Sequence, residues 1–326
     1  MTSSAPVAFT ATSSVPVSIG QPWLRISPSG SRTTNQTITV SVNQANMGTY
    51  GTYVQPVAIV LLPFSLGEST SVNVILTAQS SQSNITGIVN AASLAPGVLA
   101  PGEIIAILGT NLGPSTPLNL ALDSSGKVAT SLGGVSVSID GYLAPLIYVS
   151  STQINCVVPY EIAQKTENID IPVVVTYSGQ QDTYTMSAGV AVPAIFTSNA
   201  SGSGPAAILN ASGGYNGPDN PASAGSTIVL YLTGEGQTIP AGVTGAVTQV
   251  NTSSGASLTP IPALPLRVTI GGVQAPVTFF GEAPGVVSGA MQINAQIPDG
   301  LASGDLPLIV SLGGVSSQNG VTVSVK

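Results

Sequence analysis

The feature that most constrains this chain is an internal repeat covering most of its length. One copy contains SLGGVSVSIDGYLAPLIYVSSTQINCVVPYEI (Ser131–Ile162), and the other contains LRVTIGGVQAPVTFFGEAPGVVSGAMQINAQIPDGL (Leu266–Leu301). Both have a Gly-Gly pair beside an alternating strand, then Ala-Pro, then Gln-Ile-Asn followed by a proline. Each copy closes with an apolar strand that starts at Pro172 or Pro307. Because residues and spacing recur together, the sequence predicts a duplicated domain.

Short strands occupy almost the whole chain. Thr37–Val42, Val135–Ile139 and Leu266–Ile270 alternate apolar residues with Ser or Thr, as half-buried strands do. The runs EIIAILG, IPVVVTY, TIVLYLTG and LPLIVSLGG are continuous and rich in β-branched residues, which is typical of a sandwich core. The pairs Gly133-Gly134 and Gly271-Gly272 are predicted to form hairpin turns rather than phosphate-binding loops. Because no stretch is convincingly helical, the pattern predicts an all-β fold of immunoglobulin-like sandwiches.

The chain length fits several domains. Its 326 residues are sufficient for three domains of about 100 residues. Ala78–Asn84 and Thr197–Pro205 are rich in Ser, Asn and Gly, as interdomain linkers are. We therefore expect three tandem β-sandwiches over residues 1–80, 85–197 and 203–326, with the second and third as the two copies of the repeat.

A long loop distinguishes the third domain from the second. It runs from about Gln237 to Pro262, where the second domain has the shorter stretch from Gly113 to Thr130. Insertions of this length lie on the surface and often carry function.

Composition excludes several classes of protein. Charged residues make up only 6% of the chain, against about 25% in ordinary soluble proteins. The net charge is -7 and the 6 Lys and Arg residues are scattered, so the clustered cations that bind nucleic acid are lacking. No apolar run approaches the roughly 20 residues that span a bilayer. Residues 1–14 lack the basic start and apolar core of a signal peptide. For an exported protein we therefore expect the signal to lie upstream or to have been removed.

Candidate catalytic groups are few. The chain has no histidine, which excludes Ser-His-Asp and Cys-His catalysis and metal sites built on histidine. Cys156 is the one cysteine; we predict a small buried apolar residue, with a reactive thiol as the alternative. Glu161 and Glu167 flank Lys165 in a run typical of a solvated loop rather than of a glycosidase carboxylate pair. We therefore predict no catalytic residue, no cofactor and no enzymatic activity.

One polar turn has the oxygen ligands of a calcium site. Asp219 lies with Asn216 and Asn220 in GGYNGPDNPASAG, and such side chains can coordinate calcium. A single carboxylate supplies little charge, so the sequence favours a turn whose Asn and Asp side chains bond their own backbone. No metal site is predicted.

Exposed aromatic side chains would be needed for binding a sugar ring. Trp23, the only tryptophan, adjoins Leu24 in PWLRIS and is predicted to be buried. Tyr50 and Tyr53 in MGTYGTY and Tyr215 in GGYNG are the better candidates for exposure. We predict these three tyrosines as the glycan contacts, if the protein binds glycans.

The motifs above also resemble known families. The region from Ile88 to Lys326, through IVNAASLAPGVLAPGEIIAILGTNLGP, VPAIFT, LYLTGEG and QINAQIP, resembles an uncharacterised C-terminal region of secreted acidobacterial proteins. That resemblance implies an extracellular protein without known enzymatic activity. The GTNLG element (Gly109–Gly113) resembles the IPT/TIG type of immunoglobulin-like domain. PWLRISPSG and GTYGTY in the first domain are similar to the BACON-type domain, whose name records a carbohydrate-binding proposal.

Two classes of function follow. The first, which we prefer, is a non-enzymatic extracellular structural or adhesive protein: a surface stalk, or a subunit that assembles into filaments through strand edges. Its partners would be copies of itself or other cell-surface proteins, and the polar N-terminal segment Pro6–Thr12 could donate a strand to the next copy. The alternative is a carbohydrate-binding module of a larger secreted protein, with a polysaccharide as partner.

Overall fold

The structure is a computed structural model that divides into two compact units, Met1–Ser81 and Gln82–Lys326. The second unit contains both copies of the repeat. The predicted boundaries at residues 80, 85, 197 and 203 stay a prediction. The residues that the structure describes are 8–13, 24–27, 30–33, 37–42, 51–62, 69–78, 83–164, 170–249 and 259–326.

The described part of the first unit consists of antiparallel strands. β3, β1, β5 and β6 lie side by side in a four-stranded sheet, and β2 pairs with β4. The strands are β1 (Ala8–Ser13), β2 (Leu24–Ser27), β3 (Gly30–Thr33), β4 (Thr39–Val42), β5 (Gly51–Leu62) and β6 (Ser69–Ala78).

The segment that the sequence indicated as a donor strand, Pro6–Thr12, is already paired in its described part. Residues Ala8–Ala11 pair with β3, and Ala8–Ser13 pair with β5. At Ala8–Ala11 both edges of β1 therefore pair with strands of the same chain. The prediction of a free donor is wrong for residues 8–11, because their backbone groups pair within their own sheet.

The first copy of the repeat is a sandwich of two five-stranded sheets. One has the order β7-β8-β14-β13-β9, and the other the order β10-β11-β15-β16 with β12 on β11. The strands are β7 (Asn84–Asn90), β8 (Ile104–Thr110), β9 (Leu118–Asn119), β10 (Ser131–Leu132), β11 (Val135–Ile139), β12 (Tyr142–Leu143), β13 (Leu146–Val149), β14 (Gln153–Val157), β15 (Asp170–Tyr177) and β16 (Gln180–Ser187). A 3-10 helix, Tyr160–Gln164, follows β14.

The core of the first sandwich follows from strand alternation. Along β11, every second residue is buried and the residues between are half-buried. Val135, Val137 and Ile139 thereby enter the same hydrophobic cluster as Ile105 and Ile154 of the facing sheet. The period of two along the sequence thus produces one dry layer between the sheets.

The second copy repeats this architecture. Its sheets have the orders β17-β20-β26-β25, with β19 on β20, and β18-β29-β27-β23-β24, with β28 on β27; β21 pairs with β22 outside them. The strands are β17 (Ala194–Ile195), β18 (Gly204–Pro205), β19 (Ile208–Asn210), β20 (Thr227–Thr233), β21 (Thr238–Ile239), β22 (Ile261–Pro262), β23 (Leu266–Ile270), β24 (Val273–Gln274), β25 (Val277–Glu282), β26 (Met291–Gln296), β27 (Gly304–Leu312), β28 (Val315–Ser316) and β29 (Val321–Val325).

The shared Gln-Ile-Asn motif has the same structural role in both copies. It lies on a central strand, β14 or β26. Gln153 Nε2 donates to Asn155 Oδ1 at 2.8 Å, and Gln292 Nε2 donates to Asn294 Oδ1 at 2.8 Å. The adjacent strand carries a register shift just after the Ala-Pro pair in each copy. The duplication therefore extends to individual hydrogen bonds.

The fold-class prediction is confirmed: the described residues form an all-β, immunoglobulin-like structure. Gly133 and Gly134 connect β10 to β11 with φ of 59° and 78°, and Gly271 and Gly272 connect β23 to β24 with φ of 58° and 81°. Only glycine adopts two such successive values readily, which explains these hairpins. Among the described residues, no helix is long and apolar enough to cross a membrane.

Candidate functional site

Of the three tyrosines predicted to contact glycans, Tyr215 is the one whose side chain the structure describes. Tyr215 is 77% exposed, and its backbone forms a bridge with Leu209. Tyr53 lies on β5, but its side chain is outside the described part of the chain. Tyr50 and Trp23 lie outside the described residues.

The polar turn around Asp219 is held by its amide side chains. Asn220 Nδ2 donates to the Tyr215 carbonyl at 2.9 Å, and Asn210 Nδ2 donates to the Asn220 carbonyl at 2.7 Å. Asn216 Nδ2 donates to Asn210 Oδ1 at 3.0 Å. Asn220 therefore bonds to the backbone of its own turn, as predicted, whereas Asn216 bonds to the Asn210 side chain. In the described ranges, no cluster of His, Cys, Asp or Glu side chains is arranged to hold a metal ion.

The remaining candidates from the sequence are Cys156 and the pair Glu161 and Glu167. Cys156 is fully buried in the first core, where burial raises the pKa of its thiol well above the usual value, an effect that nearby Glu103 reinforces. The prediction of a buried apolar cysteine is confirmed. Glu161 is exposed on the 3-10 helix, whereas Lys165 and Glu167 are outside the described residues.

The most distinctive described site is the junction between the two sandwiches. A third hydrophobic cluster forms there from both copies: Ile104, Val128 and Val157 of the first copy pack with Val287 and Ala290 of the second. Side chains that are half-buried, including Ile147 and Phe196, pack against it. The two sandwiches are therefore joined by a small core of their own.

The insertion in the second copy contributes to this junction. Its described first part reaches back to the first copy, where Tyr160 N–H donates to Thr244 Oγ1 at 3.0 Å and Val128 N–H donates to the Gly245 carbonyl at 2.8 Å. Thr244 Oγ1 in turn donates to Glu161 Oε2 at 2.6 Å. We call residues 237–249 the bridging arm. The loop predicted to carry function is thus an interdomain contact in its described part.

Tyr160 enters the junction between two glycines. A Cβ atom added to Gly242 of the bridging arm would lie 2.4 Å from Tyr160 Cε1, and one added to Gly102 would lie 2.6 Å from the Tyr160 hydroxyl oxygen. No side chain fits at such distances, so both positions require glycine while the ring is in place. Tyr160 is only 3% exposed. Its ring therefore extends from the first copy into the second.

Two glutamates of the second copy converge on the Tyr160 hydroxyl group. The hydroxyl oxygen is 2.6 Å from Glu235 Oε1 and 3.3 Å from Glu282 Oε1. Glu282 Oε2 accepts hydrogen bonds from Thr248 Oγ1 at 2.8 Å and from Ser288 Oγ at 3.0 Å. Glu235 Oε2 is buried and finds no hydrogen-bond partner among the residues that the structure describes. Glu235 is 0% exposed and Glu282 is 2% exposed.

Burial changes the acidity of this group. The pKa of Glu235 is raised to about 8, mainly by burial. Of the smaller effects, the hydrogen bond with Tyr160 lowers this pKa and the charge of Glu282 raises it. The pKa of Tyr160 lies well above its ordinary value because of burial and the two carboxylates. Desolvation disfavours the charged form of an acid, so Glu235 is expected to be neutral at pH 7.

A second polar link crosses the junction at the start of β8. Ile104 N–H donates to Thr233 Oγ1 at 2.7 Å, and Thr233 Oγ1 donates to the Gly289 carbonyl at 2.8 Å. The adjacent Glu103 accepts from Asn90 Nδ2 at 2.9 Å and from the Ala100 N–H at 3.0 Å. Burial raises the pKa of Glu103 to about 8, against the lowering effect of these two hydrogen bonds.

An apolar groove of about 490 Å³ opens beside the junction. None of the described side chains that line it is a carboxylate, and Leu120, Leu122 and Val286 on its wall are exposed. The lining comes from both copies: Ile104, Leu120, Leu122, Val128, Ile147, Phe196, Tyr231, Val247, Gly285, Val286, Val287 and Ala290. Buried carboxyl pairs with separated pKa values serve acid-base catalysis in some enzymes. Glu235 and Glu282 do not line this groove, so it lacks such a pair.

The sequence did not identify Tyr160, Glu235, Glu282 or Thr233 as site residues. The available signal was the placement of acids in apolar, glycine-rich runs, TGEGQ and FFGEAPG, in a chain with only 13 acidic residues. Acids in such surroundings are rarely buried unless they are paired or hydrogen-bonded. The two carboxylates that lie close together, Glu235 and Glu282, are not the pair that flanks Lys165 in the sequence.

Comparison with known proteins identifies one domain. No curated protein matches the chain. Among solved structures, the chain is similar to SGBP-B of the Bacteroides ovatus mixed-linkage glucan utilization locus, in complex with a mixed-linkage heptasaccharide, at 13% identity and a TM-score of 0.31, covering 99% of this chain and 64% of that one. SGBP-B from a complex xyloglucan utilization locus in Bacteroides uniformis has 10% identity and a TM-score of 0.22, covering 73% of this chain and 48% of that one.

The titin domains I67–I69, in an E-to-A mutated variant, have 9% identity and a TM-score of 0.23, covering 100% of this chain and 90% of that one. The chain spans less than two thirds of the length of either SGBP-B chain. The resemblances to the acidobacterial region and to the BACON-type domain stay predictions. Residues 87–190 match the IPT/TIG domain, so the first copy of the repeat contains an immunoglobulin-like domain of the IPT/TIG type.

Proposed function

We propose that this protein is a non-enzymatic structural protein of the cell surface or extracellular space, in which residues 83–326 act as a stiff two-sandwich spacer. The observation that carries the proposal is the junction, where a shared hydrophobic cluster, the bridging arm and the Tyr160 network join the two copies. Domains in one chain move relative to each other by default, unless their interface is large and apolar or otherwise restrained. A stalk benefits from such restraint, because it holds its end at a fixed distance.

Several features of the junction favour stiffness. Tyr160 cannot leave its slot between Gly102 and Gly242 without giving up its contacts with Glu235. Ile104 N–H would lose its partner Thr233 if the copies separated. Each intramolecular hydrogen bond of this kind contributes about 0.5 to 1.5 kcal/mol to stability relative to hydrogen bonds with water. Bending at this point would therefore break several interactions at once.

The surface composition supports a role in contact. Only 6% of residues are charged, so neighbouring molecules would be only weakly repelled. Adhesion to other surface proteins, or assembly with further copies through strand edges, belongs to the same proposal. β16 supports it, because within the described sheet this strand lies at an edge and has β15 as its strand partner. At its end the Ser187 carbonyl accepts from the Leu99 N–H.

Stiffness can be tested by NMR relaxation of the full chain. Backbone amides of β11 and β23 represent the two copies. We expect them to report one common rotational diffusion tensor, and separate tensors would contradict the spacer. Electron microscopy at high protein concentration tests assembly, and monodisperse monomers would count against the filament-forming version alone.

A second candidate function is glycan binding. The observation in its favour is Tyr215, whose exposed ring lies on a turn fixed by Asn210 and Asn220. An aromatic face held in this way suits the apolar side of a sugar ring. A glycan array of the wild type against Tyr215→Ala, with Tyr142→Ala as an exposed tyrosine control, would test it. Tyr50→Ala and Tyr53→Ala complete the series, and an array without any binding would remove this candidate.

A further inference from the structure

The Tyr160 hydroxyl group has one hydrogen and two carboxylate neighbours. It can donate to only one of them at a time, although Glu235 Oε1 and Glu282 Oε1 lie 2.6 and 3.3 Å from its oxygen. At 2.6 Å the contact with Glu235 has the length of a strong O–H···O bond. Some further proton is therefore needed to satisfy both neighbours.

The two carboxyl groups differ in their surroundings. Glu282 Oε2 accepts two hydroxyl hydrogen bonds, from Thr248 and Ser288, which suits an ionised carboxylate. Glu235 Oε2 is buried without a partner in the described part of the chain. This suits the neutral acid, because an uncompensated buried charge is strongly unfavourable. The proton consequently belongs on Glu235.

We propose that Tyr160, Glu235 and Glu282 form a proton-operated latch between the two sandwiches, which is closed while Glu235 holds its proton and loosens when that proton is lost. In the closed latch the Glu235 O–H donates to the Tyr160 oxygen, and the Tyr160 O–H donates to Glu282 Oε1. In this arrangement each hydroxyl hydrogen has its own acceptor, and the hydrogen bonds connect the two copies across the junction. This inference deepens the spacer function and rests on it for its biological meaning.

Loss of the proton to solvent creates a second negative charge in the same buried space. The Tyr160 O–H must then donate to Glu235, so Glu282 Oε1 no longer receives a hydrogen bond from it. In addition, the two negatively charged carboxylates repel each other. Within the described ranges, the ionisable groups facing Glu235 are Tyr160 from the first copy and Glu282 from the second. Glu161 is exposed and bonds to Thr244 of the bridging arm, and Glu103 bonds within the first copy.

The direction of the pH effect follows from the raised pKa of Glu235. Its pKa is about 8 in the closed junction and near the ordinary value of about 4.3 when exposed to water. The open state therefore binds fewer protons between these two values, so the latch weakens as pH rises through this window. The opening equilibrium constant should increase about tenfold for each pH unit, and level off above about pH 8.

Hydrogen exchange of the full chain tests the latch between pH 5 and 9. The reporter is the Val128 N–H, which bonds to the Gly245 carbonyl of the bridging arm across the junction. After correction for the intrinsic pH dependence of exchange, we expect the opening constant of the wild type to rise with pH. In Glu235→Gln, the opening constant should lose the contribution of about tenfold per pH unit, because the amide of glutamine donates a hydrogen bond at every pH, as the neutral acid does. Glu103→Gln is the matched control and should retain the Glu235 contribution.

Equal slopes in the wild type and Glu235→Gln would overturn the latch. If that variant does not fold, a carboxyl NMR titration of wild-type Glu235 decides instead, and a midpoint near the ordinary value would overturn it. Failure of the spacer is distinguishable from failure of the latch. Separate rotational tensors at pH 6 contradict the spacer, whereas an ordinary Glu235 titration contradicts only the latch.

Discussion

Replacing Tyr160 by phenylalanine isolates the polar part of the junction. The variant keeps the ring that fills the slot between Gly102 and Gly242, so no cavity forms. It removes only the hydroxyl group shared by Glu235 and Glu282. The change therefore separates hydrogen bonding from packing, which a change to alanine would not do.

The loss of junction stability in Tyr160→Phe depends mainly on Glu235. Glu282 keeps its hydrogen bonds from Thr248 and Ser288, whereas Glu235 loses the partner of Oε1 and already lacks one at Oε2. Leaving one buried polar group unsatisfied costs about 1 to 3 kcal/mol. Opening of the junction should therefore become about 5- to 150-fold more frequent.

The assay is hydrogen exchange of the full chain at pH 6, read at the Val128 and Ile104 amides, which both bond across the junction. Amides in β11 serve as an internal reference for the core of the first sandwich. Tyr142→Phe is the matched control, because Tyr142 is exposed and the change should stay within about 0.5 kcal/mol. If Tyr160→Phe exchanges no faster than Tyr142→Phe at Val128 and Ile104, the reasoning about Glu235 is refuted.

Three further changes test other parts of the account. Gly242→Ala should destabilise the junction by about 1 to 3 kcal/mol, read by the same exchange assay, because the new Cβ would lie 2.4 Å from the Tyr160 ring. Thr233→Val should cost about 1 to 3 kcal/mol in calorimetry, because Ile104 N–H loses its acceptor and the Gly289 carbonyl its donor. Cys156 should resist thiol reagents in the native protein at pH 8 and react after unfolding, because burial raises its thiol pKa.

Matched variants give these predictions their controls. Gly97→Ala places a Cβ where no atom lies within 4 Å, so its effect should be small. Thr269→Val changes a half-buried threonine on β23, away from the junction. If Gly97→Ala and Thr269→Val destabilised the protein as much as Gly242→Ala and Thr233→Val do, a special role for the junction would be contradicted. Rapid labelling of native Cys156 would contradict its placement in the core.

The strands and turns could be predicted from local sequence because their causes are local. The alternation of VSVSI places Val135, Val137 and Ile139 on one face, and the glycine pairs supply the positive φ that two-residue hairpins need. Repetition of the Gln-Ile-Asn motif extended this reasoning to a second domain of the same kind. Neither inference requires knowledge of distant contacts.

The junction could not be predicted in this way. GTNLG and TGEGQ occupy equivalent loops, and Asn111 and Gly234 share a positive φ there. The next residue is Leu112 in one copy and Glu235 in the other, both fully buried. Leu112 belongs to the core of its own sandwich, whereas Glu235 bonds to Tyr160, 75 residues away. Whether a buried acid is tolerated depends on such a distant partner, which local periodicity does not reveal.

We expect the two copies to move as one body because of their junction. Spin labels at Thr183→Cys in the first copy and Gln274→Cys in the second would measure it in the full chain, because both sites are exposed and native Cys156 is buried. Double electron-electron resonance at pH 6 should give a single narrow distance distribution, as wide as the label linkers alone require. A broad distribution would show that the two copies move independently and would contradict a stiff junction.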